Sequence, residues 1–352
     1  MARQATPSAT ATTTPPETAS KNGSTSASAD SYEATLERLS KASVEKHWEP
    51  YVDIPWDDPE FAIDPDDPRW KLPPVDQLGG HPWYQAQPPG LQARIGLWRV
   101  ATAMKVGMQF ENLLKRGLLS YAYWLDNHDP EFRYVYHEMI EEGHHGMMFQ
   151  EFVNRTGMPI KGMPRPLRRL ALVSPLIPAL DPDLFFIFVL GGEDPIDFVQ
   201  RQTLRSGCEL HPLQEKIMRI HVAEESRHLS FARTYLRRRV PAMSWPHRRA
   251  LGIAAPVILG IMAGMMLDPP RAMIKHFGIP REVVKEAYRK NPAAQDEVKA
   301  AVTKVRDLCA ELGLITPVSR QVWKLMGIWS EPSAAPGGRK AKAPHNPAGT
   351  PA

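Results

Sequence analysis

The stretch HVAEESRH at 221–228 sets His221, Glu225 and His228 at positions i, i+4 and i+7. On a helix they share an arc of about 60°. Imidazole nitrogens and carboxylate oxygens can ligate the same transition metals, although a solvated, charged helix face has the same spelling. A second stretch, HEMIEEGHHGMMFQEF at 137–152, holds two overlapping ExxH pairs, Glu141 with His144 and Glu142 with His145. At helical spacing the second pair shares its face with Val135, Glu138, Phe149 and Phe152, which is mostly apolar and so expected to point inward. The first pair shares its face with His137, Met148 and Glu151, a wetter set. Glu142 and His145 are therefore the expected ligands, with Glu138 as a supporting neighbour. Glu224 and Arg227 are expected to point away from the His221–Glu225–His228 face.

These residues need long helices to hold them. Apolar residues recur at three- and four-residue spacing from Leu91 onward, and alternating strand-like patterns are scarce. The spacing predicts helices over about 91–126, 130–155, 183–206 and 212–239, closed by DNHDP, by TGMP, by SGCELHP, and by three arginines before Pro241. Four consecutive helices joined by short turns make an all-α bundle. In an antiparallel hairpin, residues at one depth are equidistant from the turn. Glu111 and Glu142 meet that condition about DNHDP, and Glu193 and Glu225 meet it about SGCELHP. Glu111 also sits among Met104, Gly107, Met108, Leu114 and Leu118, an apolar setting in which an unpaired carboxylate is costly. Glu193 follows Gly191 and Gly192 and precedes Pro195, which implies a kinked helix, with Asp194 and Asp197 as substitutes.

The candidate set is Glu111, Glu142, His145, Glu193, His221, Glu225 and His228. A glutamate from each of two helices and glutamate–histidine pairs from the other two is the di-iron or di-manganese pattern of ferritin-like bundles. Ligation rich in oxygen and free of thiolate favours two iron ions, with manganese as the alternative, over structural zinc.

The rest of the chain bounds the reading. Residues 1–30 are rich in Ser, Thr, Ala and Pro and are expected to be disordered, as is the tail at 331–352. Residues 31–90, dense in Pro, Asp and Trp from Tyr51 onward, read as an ordered arm packed on a core at 91–240, and 241–330 as accessory helices of the same domain. The uncharged run Ala250–Leu267 reads as a buried helix, with peripheral membrane contact as the alternative. Cys208 and Cys309 form no CxxC motif, which fits a reducing cytoplasm. Much of the +4 net charge lies in the tail at Arg339, Lys340 and Lys342, so the basic balance gives no case for nucleic acid. The sequence contains neither GxGxxG nor GxxxxGK[ST], so electrons are expected from an external donor or reductase. A homodimer is compatible with these features.

The order Glu, ExxH, Glu, HxxxExxH over roughly residues 90–240 resembles the p-aminobenzoate N-oxygenase family of non-haem di-iron oxygenases. His221 is the specific part of the resemblance, since most ferritin-like oxygenases end on ExxH alone, here Glu225 to His228. The resemblance implies O2 as co-substrate and transfer of oxygen to the nitrogen of an arylamine or related small molecule, through a hydroxylamine toward nitroso or nitro products. The same bundle also serves fatty-acyl desaturase-like enzymes and non-catalytic iron-binding proteins.

Overall fold

A computed structural model describes residues 23–333. It is all-helical, with no strand among the described residues. Helix α1 (Gly23–Glu45) precedes the arm. The bundle consists of α2 (Pro89–Ala122), α3 (Glu131–Arg155), α4 (Pro182–Leu204) and α5 (Pro212–Arg239). It is followed by α6 (Trp245–Leu267), α7 (Pro292–Ala301), α8 (Thr303–Glu311) and α9 (Pro317–Leu325), with shorter helical turns between.

Local chemistry sets these ends. Prolines occupy the first turns of α2, α4 and α5, where a missing N–H costs nothing. Asp181 caps α4 by accepting from the Leu184 N–H at 3.0 Å. Helix α2 stops four residues short of the expected end. The amides of Trp124 and Leu125 bond back three residues, to Tyr121 and Ala122, and His128 then takes φ +69° to reverse the chain.

Two antiparallel hairpins, α2–α3 and α4–α5, form the bundle. Pro195 lies inside α4 and leaves the helix unbroken. The glycines before it serve close packing: a Cβ on Gly192 would coincide with the Phe110 ring of α2, and one on Gly191 would press on Ile258 of α6. Leu251, Ala255, Leu259 and Met262 of α6 are buried toward α4, while Ile253, Val257 and Ile261 are exposed. Trp245–Phe277 is the one segment among the described residues long and apolar enough to cross a membrane.

Two expectations change. Helix α1 starts at Gly23, inside the stretch expected to be disordered, and runs through the first quarter of the expected arm. Its Tyr32, Leu36 and Leu39 form an i, i+4, i+7 stripe that joins the main core. Tyr32 donates to Glu131 of α3 at 2.6 Å and lies under the Arg238 guanidinium of α5. Residues 1–22 and 334–352, where the remaining disorder was expected, lie outside the described residues. Beyond α1 the chain runs as short turns, with Trp56 and Trp70 buried among Leu97, Phe152 and Leu213. Trp70 stacks on His211, the N-cap of α5, at 4.1 Å.

Candidate metal centre

The bundle brings all seven candidate residues to one depth, each at most 2% exposed. Helix α2 supplies Glu111, α3 supplies Glu142 and His145, α4 supplies Glu193, and α5 supplies His221, Glu225 and His228. Donor atoms within 4.8 Å of one another form three overlapping groups. These are Glu111–Glu142–Glu193, Glu142–His145–Glu225–His228 and Glu111–His145–His221–Glu225. Glu111, Glu142, His145 and Glu225 each belong to two of these groups, so the three form one continuous centre.

Each histidine is fixed from behind. His145 Nε2 lies 2.8 Å from Glu224 Oε2, and its Nδ1 faces Glu142 and Glu225 at 3.3 and 3.4 Å. His228 Nε2 lies 2.8 Å from Glu141 Oε2, and its Nδ1 faces Glu142 and Glu225 at 2.9 and 3.1 Å. His221 Nδ1 donates to Gln200 Oε1 at 2.8 Å, which turns its Nε2 toward Glu111 and Glu225 at 3.5 and 3.6 Å. An outer acceptor that sets the ring and its tautomer is the usual support of a metal-binding imidazole.

The supports differ from those expected. Glu141 and Glu224, expected to face away, are buried and cross-linked: each helix holds the histidine of the other. Arg227, also expected to point away, is buried and donates to Glu141 at 2.8 Å. Position 141 is rotated about 100° from Glu142, which on packed helices points sideways into the α3–α5 contact and not outward to water. The signal was present as a repeat, since Glu141-Glu142-x-x-His145 and Glu224-Glu225-x-x-His228 share one spelling, EExxH. Gln200 was missed although the midpoint between it and His221 falls within SGCELHP. Glu138 is buried beside His228, its carboxyl raised to about 8 by burial, but it makes no hydrogen bond to the ligand set among the described residues. Asp194 is paired with Arg233, and Asp197 with Arg201 and Lys304, so Glu193 is the α4 carboxylate at the cluster.

The electrostatics demand positive charge among these groups. Burial drives the Glu111 and Glu193 carboxyls far upward, reinforced by repulsion from Glu142 and Glu225. Burial opposes charge on His145 and His228 as well, but the surrounding glutamates overcome it and raise both well above the usual imidazole range. Burial instead lowers His221 to about 4, leaving it neutral. Among the described residues, Glu111 Oε2, Glu193 Oε1, Glu225 Oε2 and His221 Nε2 have no hydrogen-bond partner. Buried lone pairs converging in this way suit a bound cation. Four carboxylates with neutral histidines carry the charge that two divalent ions neutralise, so the donor set fits a di-metal site.

A titration follows from these shifts. Glu111, Glu193, His145 and His228 are raised groups, so each must lose a proton to become a ligand. Metal affinity should therefore rise with pH and fall as the solution is acidified. Near pH 7, adding Fe(II) or Mn(II) should release roughly four protons per chain, one from each of these groups. Calorimetry in two buffers of different protonation enthalpy measures this, and pH-independent binding without proton release would contradict the assignment of these groups.

An α2–α5 bundle carrying four inward glutamates and three histidines at one depth defines the ferritin-like di-metal carboxylate class. Within that class the chain belongs to the p-aminobenzoate N-oxygenase (AurF) family, whose profile matches residues 29–313. It is similar to the uncharacterized protein Rv0885 of Mycobacterium tuberculosis (strain H37Rv), 45% identical over 302 residues, covering 86% of this chain and 89% of the relative. The uncharacterized protein Mb0909 of Mycobacterium bovis is similar with the same identity and coverage.

Proposed function

We propose that Glu111, Glu142, His145, Glu193, His221, Glu225 and His228 bind two iron ions, with manganese as the alternative, and that the protein is an O2-dependent oxygenase acting on the nitrogen of an amine. The observation that supports this reading best is the convergence of unpaired, fully buried carboxylate and imidazole donors from four helices. Two ferrous ions held there would supply the redox chemistry for O2 activation.

The chain's own residues supply position and dryness. Glu142 and Glu225 would each offer an oxygen to more than one ligand group, Glu224 and Glu141 hold His145 and His228 in one tautomer, burial keeps His221 neutral, and Gln200 turns its Nε2 lone pair inward. Phe149 lies 6.3 Å from the His145 ring and 5.1 Å from the His221 ring, and it excludes water on that side. An external electron donor belongs to the proposal.

The test combines metal analysis with product analysis. Protein produced with ample iron should carry about two iron or manganese ions per chain. With a reductant and isotopically labelled O2 it should convert an aromatic amine to a labelled hydroxylamine, nitroso or nitro product. His221→Ala should keep two metals while changing the stopped-flow reaction of the reduced protein with O2. A single zinc per chain would overturn the di-metal assignment. O2 consumption without an oxygenated amine would move the reading to iron storage, and an unchanged His221→Ala variant would reduce that histidine to a face residue.

A further inference from the structure

Behind His221 lies a cleft of about 230 Å³ between the arm, α2, α4 and the end of α6. Phe149 and Gln200 line it, and both side chains touch His221. Its walls are apolar, with Leu72 from the arm, Met104 from α2, Ile196 and Val199 from α4, and Met265 and Met266 from α6. A partly enclosed apolar cleft that ends one side chain from a cluster of metal-ligating groups is the natural seat for a small organic substrate.

Two of the three cations that line the cleft are already committed. Arg99 reaches Asp76 Oδ2 at 3.4 Å and donates to the Tyr288 hydroxyl and to the Leu267 carbonyl. Asp76 cannot swing away from this pairing, because its other oxygen accepts from the amides of Leu78 and Gly79, each at 2.9 Å. Arg69 is paired with Asp67 at 2.6 Å. Lys71 remains, and Asp268 and Glu297 line the same cleft. An incoming carboxylate would have to displace a fixed Asp76 from Arg99 or meet Lys71 alone with two further carboxylates on the same walls, and burying an anion beside like charges is disfavoured.

We infer that this cleft binds the substrate of the proposed oxygenase, and that the substrate is an uncharged amine with an apolar body and not an amine bearing a carboxylate. The assignment rests on the N-oxygenase reading for the reacting nitrogen and on the cleft alone for the body. It departs from p-aminobenzoate, whose carboxylate would find Lys71 as its one uncommitted cation among the described residues, with Asp268 and Glu297 lining the same cleft.

Equilibrium binding to the metal-loaded protein under anaerobic conditions tests it, with 4-butylaniline and 4-aminobenzoate as probes that share one aniline nitrogen. At neutral pH 4-butylaniline should bind at least about tenfold more tightly, from the burial of its alkyl carbons and the absence of a buried anion. Val199→Trp, which fills the cleft, should abolish that binding while leaving metal content and helical circular dichroism unchanged. Asp76→Asn, which releases Arg99, should strengthen 4-aminobenzoate binding and narrow the ratio. Lys71→Met should change neither probe. Tighter or equal binding of 4-aminobenzoate, loss of its binding in Lys71→Met, or no binding of either probe would overturn the inference. The outcome separates it from the N-oxygenase reading. If 4-butylaniline binds as expected but no amine is oxygenated, the cleft assignment stands and the activity falls. Preferred oxygenation of 4-aminobenzoate would do the reverse.

Discussion

His145→Ala should strip most of the metal from the purified protein, whereas His144→Ala, one residue away, should leave metal content near that of the unaltered chain. His145 is fully buried, presents Nδ1 to both Glu142 and Glu225, and is held through Nε2 by Glu224. Its removal deletes a donor shared by two of the three ligand groups and leaves the buried Glu224 carboxylate without its main partner. Losing an outer support alone typically weakens a metal site about 10- to 100-fold, so losing the ligand with its support engaged should cost more. Breaking a buried ionic contact from one side should also destabilise the fold by about 3–5 kcal/mol. His144 is only half buried, is turned about 100° around the helix, and belongs to none of the ligand groups. Metal analysis after dialysis, with thermal unfolding alongside, reads both effects. Equal loss in the two variants, or the reverse order, would overturn the choice of face on α3.

That choice was open to sequence reasoning because it depends only on periodicity. The apolar company of Glu142 and His145 marked the inward face, and midpoints falling within DNHDP and SGCELHP matched Glu111 to Glu142 and Glu193 to Glu225 across their turns. The supports were harder to read because they depend on how α3 and α5 lie against each other. Glu141 and Glu224 look like surface residues on isolated helices and become buried only when each crosses to the histidine of the other. Helix α1 was hidden for a different reason. Its first turns, GSTSASAD, carry the composition of a flexible leader, and its stripe of Tyr32, Leu36 and Leu39 gains stability only from docking on α3 and α5. The Pro195 region shows the opposite case, where local rules warned of a break. The helix persists because α2 and α6 pack into the space that Gly192 and Gly191 leave open.

Gly192→Ala should therefore destabilise the protein, against the sign that helix propensity alone gives. Alanine in a helix interior is favoured over glycine by about 1 kcal/mol. Here the added methyl would overlap the ring of Phe110, which is 2% exposed and packed against Phe188 at 5.2 Å between centroids. Overpacking of a filled core costs about 1–3 kcal/mol, and part of it is met by moving the backbones apart. The direction of that movement matters, because Phe110 immediately precedes Glu111 and Gly192 immediately precedes Glu193. Separating α2 from α4 at this contact separates the two carboxylates that approach each other with Glu142. Gly192→Ala should lower the unfolding midpoint and reduce metal occupancy together, and Gly192→Val should do so more strongly. Phe110→Ala in the Gly192→Val background should restore part of both, since the cavity left by one change accepts the side chain added by the other. Recovery beyond the sum of the single effects is the signature of direct coupling. A Gly192→Ala variant with unaltered metal content and raised stability would show that helix spacing at Phe110 does not set the distance between Glu111 and Glu193.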